Sequence, residues 1–168
     1  MFFQHSILLI LNFMTDSMIV PVLLGSEKDK DWAKKITDEL DKWNIPHKVI
    51  VVSAHKVPEL LVEVIREYNH FDGKVCYVTI AGRSNGLSGC TAGSSFHPVI
   101  ACPPFADKDD MMVNINSTLQ MPSDTPVLTV LDPQNVAMCI VRIFGLSNPA
   151  LRKKYEEHVK KIKASFKI

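Results

Sequence analysis

Short apolar runs recur along this chain, and they constrain its fold more than any other feature. Ile19-Val20-Pro21-Val22-Leu23-Leu24 is the first. Lys48-Val49-Ile50-Val51-Val52, Val75 to Ile80, Pro98 to Cys102 and Pro126 to Leu131 follow. A continuous apolar run fits a strand buried on both faces, as in a parallel sheet. Segments with helical spacing lie between them. Trp32, Ala33, Ile36, Leu40 and Trp43 share one face and predict a helix from about Lys30 to Trp43, stopped by Asn44-Ile45-Pro46. Pro58 opens a second helix with Leu60, Leu61, Val64, Ile65 and Tyr68 as its stripe. Asp72-Gly73 makes a turn. A short helix is expected over Leu87 to Gly93, a longer one from Pro133 through Phe144, and a charged one from Pro149 to the C-terminus. Strand and helix alternate throughout. The pattern predicts an α/β three-layer domain, flavodoxin-like or Rossmann-like, with a parallel sheet and helices on both faces.

Residues 18–168 are read as one domain. Residues 1–17 are read as an upstream extension or start-site artefact. Ile7 to Leu11 is apolar, but no basic segment precedes it, no small-x-small cleavage site follows, and it is too short to span a bilayer. The chain is 46% apolar and 22% charged, which suits a soluble globular protein expected in the cytoplasm. Its net charge of +1 gives no bulk attraction to nucleic acid or to an acidic membrane. An anionic ligand must therefore be held by a local site.

Ligands of open parallel sheets bind outside the carboxyl ends of the strands. Three runs here end in polar segments: Gly25-Ser26, Ser53-Ala54-His55-Lys56 and Ala81-Gly82-Arg83-Ser84-Asn85. All three would meet at one sheet edge. Gly25 allows close backbone approach, Ser26 adds a hydroxyl, and the helix that follows favours an anion at its N-terminus. The same segment also serves as a plain turn without a ligand. Asp29 either accepts ribose hydroxyls or complements the helix dipole. His55 is either structural or a proton carrier working near neutral pH. Lys56 either pairs with a carboxylate or phosphate or is an ordinary solvated lysine. Arg83, Ser84 and Asn85 supply donors suited to carboxylate or carbon dioxide oxygens. No GxGxxG or GxxxxGK[ST] follows the first strand, so no dinucleotide or nucleoside triphosphate is indicated.

Cys76, Cys90, Cys102 and Cys139 have no CxxC spacing and are read as reduced, mostly buried thiols. Cys102 has no partner histidine visible in the sequence and is assigned to packing. No histidine pair has zinc-ligand spacing. Met111, Met112 and Met121-Pro122 are read as packing or loop anchors, and Arg152 to Lys163 as a solvated helix face.

Taken in order, Leu24-Gly25-Ser26-Glu27-Lys28-Asp29, Ser53 to Lys56, Ala81 to Gly89, Ala101-Cys102-Pro103-Pro104 and Met121-Pro122-Ser123 resemble the aminoimidazole ribonucleotide carboxylase family of purine synthesis. The resemblance spans roughly residues 19 to 146. Lys56 and Arg83-Ser84-Asn85 are similar to the branch that uses carbon dioxide directly (class II), rather than to the branch that rearranges N5-carboxyaminoimidazole ribonucleotide. It implies reversible carboxylation of aminoimidazole ribonucleotide without metal, biotin or ATP. It implies His55 as the acid/base and Lys56 and Ser84 near the carboxylate. Gly25, Ser26 and Asp29 would hold the ribose phosphate, with Ser53 beside them and Ala81, Gly82, Arg83 and Asn85 in the substrate loop. It also implies a homo-oligomer, commonly a tetramer or octamer. The chain departs from the family pattern at Lys28, where serine is usual, at Asp124, where glycine is usual, and at Gln120, where this branch often has arginine. The mutase of the sister branch and a non-catalytic nucleotide-phosphate-binding module are the competing expectations.

Overall fold

The computed structural model describes residues 17–166. The apolar run Ile7 to Leu11 and the rest of the proposed extension up to Asp16 lie outside the described residues. Ser17 belongs to the fold: its Oγ donates to the Asp72 carbonyl at 3.1 Å and its carbonyl accepts from the Lys74 amide at 2.9 Å.

Chain order is β1 (Met18–Leu24), α1 (Lys30–Lys42), β2 (His47–Val51), α2 (Pro58–Asn69), β3 (Lys74–Val75), β4 (Tyr77–Ile80), α3 (Gly86–Ser94), β5 (Val99–Ala101), α4 (Lys108–Leu119), β6 (Leu128–Thr129), α5 (Pro133–Gly145) and α6 (Pro149–Ser165). A one-turn 3-10 helix at Glu27–Asp29 leads into α1. The strands are parallel and ordered β2-β1-β4-β5-β6, with β3 also on β1.

The run from Val75 to Ile80, read as one strand, is divided at Cys76, and Pro21 explains why. The Val20 amide donates to Pro46 on the β2 side, so residue 21 must donate on the other side. Pro21 has no N–H, and the ladder lapses there between Ile19↔Val75 and Val22↔Val78. Counted as one strand, β3 and β4 give the flavodoxin-like order 2-1-3-4-5.

Strand alternation sorts the core into two layers. Val20, Val22 and Leu24 face Ala33, Ile36 and Leu40 of α1 and Val136, Ile140 and Phe144 of α5. Leu23 faces the opposite layer, with Leu61 and Ile65 of α2 and Leu87 of α3. Burying each such leucine or isoleucine contributes roughly 1.5–3 kcal/mol. In α6 only Leu151 is buried, so its charged remainder is the solvated face expected of it. Among the described residues no helix is long and apolar enough to cross a membrane.

Residues 105–125 carry no apolar stripe that predicts a helix, yet α4 occupies the middle of that stretch. Its inward face is polar, with Asn114 and Thr118 buried, while Met112, Val113 and Leu119 are exposed. Apolar periodicity therefore points away from its packed side. The start signal was present: the Asp107 carboxylate accepts from the Asp110 amide at 2.9 Å and caps the helix. The last strand is also shorter than expected, with only Leu128–Thr129 paired.

Candidate active site

Strand order reverses between β1 and β4, and a crevice lies there outside the carboxyl ends of the two strands. The Gly25 amide donates to the Ile80 carbonyl at 2.9 Å, tying the two ends together. A Cβ on Gly25 would stand 3.3 Å from that of Ala81, so a small residue suits this approach. Ser26 then caps the 3-10 turn, its Oγ accepting from the Lys28 amide at 3.3 Å. The Asp29 carboxyl is half-buried, and loss of hydration holds it above its ordinary value of 3.8, against a backbone hydrogen bond at Ser26 that lowers it.

Beside this turn lies the end of β2. The Ser53 carbonyl accepts from Lys56 at 3.3 Å and Val57 at 3.0 Å, closing a tight loop before Pro58 starts α2. The loop carries the His55 imidazole across to the start of α3. A Cβ on Gly86 would stand 2.9 Å from its Nε2. The His55 ring thus lies directly against the loop that bears Ser84.

That loop follows β4. Arg83 has φ 58°, the left-handed region, which costs a non-glycine residue about 1–2 kcal/mol. Helix α4 holds it. The Arg83 amide donates to Asn114 Oδ1 at 2.7 Å, Asn85 N–H donates to Ser117 Oγ at 3.0 Å, and Ser117 Oγ donates to the Arg83 carbonyl. The Arg83 guanidinium lies 3.8 Å from Asp110. Behind the loop, Asn85 Nδ2 donates to Thr118 Oγ1 at 2.9 Å. Its Oδ1 accepts from both the amide and the hydroxyl of Ser88, and Ser88 Oγ is 2.8 Å from Thr79 Oγ1 on β4. This buried polar network is satisfied internally, which is the condition for it to add rigidity.

A cleft of about 970 Å³ unites the three strand ends. Gly25, Ser26, Asp29, Ser53, His55, Ala81, Gly82, Arg83 and Ser84 line it. Lys56 and Asn85 do not. Lys56 is exposed beside His55. Asn85 is 4% exposed, and its side chain is committed to capping α3 and to Thr118.

Sequence reasoning passed over the opposite wall. Trp32, assigned to a core stripe, is only half-buried and meets Phe105 edge-on at 4.9 Å between ring centroids. Lys35 Nζ sits 4.6 Å over the Trp32 ring. Trp32 Nε1 donates to Cys102 Sγ at 3.4 Å, and burial pushes that thiol up to about 11, which suits packing and not nucleophilic attack. Cys76 is likewise pushed up to about 12; Cys139 is partly buried, and Cys90 is the exposed exception to the expectation of mostly buried thiols. Among the described residues no three His, Cys, Asp or Glu side chains come together as metal ligands.

A doubly wound domain with its polar strand ends gathered at the switch point defines a ligand-binding protein of the flavodoxin-like class. Comparison with known proteins narrows the class. The family model for AIR carboxylase matches residues 19–165. Phosphoribosylaminoimidazole carboxylase of Archaeoglobus fulgidus is 39% identical over 139 residues, 83% of this chain and 76% of its own. The bifunctional phosphoribosylaminoimidazole carboxylase/phosphoribosylaminoimidazole succinocarboxamide synthetase of Drosophila melanogaster is 38% identical over 130 residues, 77% of this chain and 30% of that one. The crystal structure of Treponema denticola PurE matches with a TM-score of 0.78 at 36% identity, covering 88% of this chain and 96% of that one. The chain belongs to the AIR carboxylase family.

Proposed function

We propose that the protein catalyses the reversible carboxylation of 5-aminoimidazole ribonucleotide with carbon dioxide, giving 4-carboxy-5-aminoimidazole ribonucleotide in purine biosynthesis. One observation carries this reading: in a chain of this family, one cleft collects the Ser26 turn, His55 and the Ser84 loop. The ribose phosphate sits at Gly25-Ser26, where a capped turn runs into a helix N-terminus. Asp29 accepts the ribose hydroxyls, and Ser53 lies beside them. The imidazole then extends toward His55 and the Ala81–Ser84 loop.

The exocyclic amine pushes electron density into the ring, so C4 attacks the carbon of carbon dioxide. A carbon–carbon bond forms as one C=O electron pair moves onto oxygen. His55 takes the C4 proton, the C–H pair returns to the ring, and aromaticity is restored. Each turnover consumes one ribonucleotide and one carbon dioxide and releases one carboxylated product and one proton. Donors of the Ser84 loop stabilise the developing carboxylate where it forms. Lys56 adds positive charge at the rim, and Asn85 serves by holding the loop. The absence of ATP and cofactors from this scheme is part of the proposal.

The reading includes a cytoplasmic homo-oligomer, a tetramer or octamer. Exposed Met112, Val113 and Leu119 on α4 and Leu128 on β6 support it, because exposed apolar side chains gain by being covered. The assay is purified protein with aminoimidazole ribonucleotide and bicarbonate, without ATP, read by product absorbance. Turnover supports the carboxylase. Turnover only with the N5-carboxylated substrate replaces it by the mutase. Binding without turnover of either substrate replaces it by a nucleotide-phosphate-binding module.

A further inference from the structure

We infer that Asn114, a residue of the cleft wall, is a positioning residue for Ser84, holding the Gly82–Ser84 turn in the conformation that presents Ser84 to the cleft. The inference rests on the carboxylase reading of this site. Asn114 is 3% exposed, so its carboxamide must find partners inside the protein. It finds two, from different strand ends. Oδ1 accepts from the Arg83 amide at 2.7 Å, and Nδ2 donates to the Pro104 carbonyl at 2.7 Å. These partners fix which way the amide faces, because an N–H needs the oxygen and a carbonyl needs the nitrogen. Gly82 lies flat against the same group: a Cβ there would stand 3.1 Å from Nδ2 and 3.2 Å from Oδ1.

A single side chain thus joins α4, the segment after β4 and the segment after β5. The turn needs such support. Arg83 has a left-handed φ of 58° that an arginine does not adopt unaided. Without the Asn114 acceptor, its amide is left unpaired and the turn can relax toward ordinary φ. Ser84 is the next residue, so any relaxation moves it directly. The phosphate turn at Ser26 belongs to β1 and has its own internal cap, so it stays in place.

The test compares Asn114→Ala with Asn114→Asp, which keeps an oxygen facing the Arg83 amide and, because burial beside the Pro104 carbonyl favours the protonated acid, an O–H facing that carbonyl. Two readouts are taken: steady-state carboxylation, and hydrogen exchange of the Arg83 amide by NMR. Asn114→Ala is expected to lower kcat by about 10- to 100-fold while KM shifts by less than about threefold, as misplacement of a group near the chemistry does. Its Arg83 amide should exchange at least about tenfold faster, since protection tracks the closed, hydrogen-bonded state. Asn114→Asp is expected to keep kcat within about fivefold, with the amide still protected. Should Asn114→Ala not fold, Asn114→Ser takes its place with the same expectations, its hydroxyl being too short to join Arg83 to Pro104. Normal kcat in the shortened variant overturns the inference, as does an equal loss in both variants. If the wild-type protein does not carboxylate, the carboxylase reading fails by itself. The exchange data then still decide whether Asn114 holds the turn: an Arg83 amide equally protected in all variants overturns it.

Discussion

The two loops that meet at the His55–Gly86 contact are built by opposite means. Ser53 to Lys56 is closed by its own backbone, through two hydrogen bonds to the Ser53 carbonyl. Arg83 to Asn85 is closed from outside, by Asn114, Ser117 and Thr118 of a helix more than thirty positions further along the chain. His55 is exposed on the self-closed loop, with its ring against Gly86. Asn85 is buried on the braced loop and joins β4, α3 and α4. A self-closed loop allows its chemical group to be exchanged without cost to the fold. A braced loop links the geometry of the site to the stability of the domain.

Four changes press on this contrast. The largest effect is expected for His55→Asn: kcat falls by about 10²–10⁴, the range for loss of a general acid/base. Substrate binding persists, and unfolding free energy stays within about 0.5 kcal/mol, as for other exposed positions. Titration calorimetry and urea denaturation check the last two. A large stability loss would show that the β2 loop is not self-sufficient.

Asn85→Ala should do the reverse. Losing a helix cap and orphaning buried hydroxyls costs about 2–3 kcal/mol, read by urea denaturation. Activity falls with it because the loop loosens. A stability change under about 0.5 kcal/mol would contradict the braced-loop account.

Asp29→Asn lies on the third strand end and separates binding from folding. KM should rise about tenfold, the equivalent of one hydrogen bond to a charged group. Stability should hold or increase. Burial raises the Asp29 pKa, so its ionised form carries a desolvation cost in the folded state. That cost is fully present above the folded pKa and is relieved as pH falls through it. At neutral pH the variant is free of the cost, and its advantage over the wild type shrinks on acidification. Denaturation curves at neutral and acidic pH give the sign.

The smallest effect is expected from thiol labelling. Cys90 should react readily in the native protein, and Cys76 and Cys102 only on unfolding, because burial holds both thiols far above the range of reactive cysteines. Mass-resolved labelling with and without denaturant checks this. Labelling at Cys90 should leave carboxylation unchanged, since that side chain lies outside the cleft.

The same contrast sets what the sequence made legible. Gly25-Ser26, Ser53 to Lys56 and Ala81 to Ser84 stand out because each directly follows an apolar run, and the alternation places all three at one edge. Local closure leaves a local signal. The brace on the second loop leaves almost none. Helix α4 packs through Asn114 and Thr118, so a search for apolar periodicity finds its outer side instead. Asn85 looked like a ligand donor because a buried cap and a substrate contact use the same amide chemistry. Trp32 looked like core because one side of it does pack, while the other faces the cleft with Lys35 and Phe105. The division of β3 from β4 was written in Pro21, but its meaning depends on which neighbour residue 21 must bond, and that is fixed only by the register.

If three strand ends make one carboxylation site, a crystal structure with 4-carboxy-5-aminoimidazole ribonucleotide bound will show it. The phosphate should lie at Gly25-Ser26, the ribose at Asp29, the imidazole C4 within reach of His55, and the carboxylate on the Ser84 loop. A ligand seated elsewhere, or one that binds this cleft with its carboxylate away from His55 and Ser84, would contradict it.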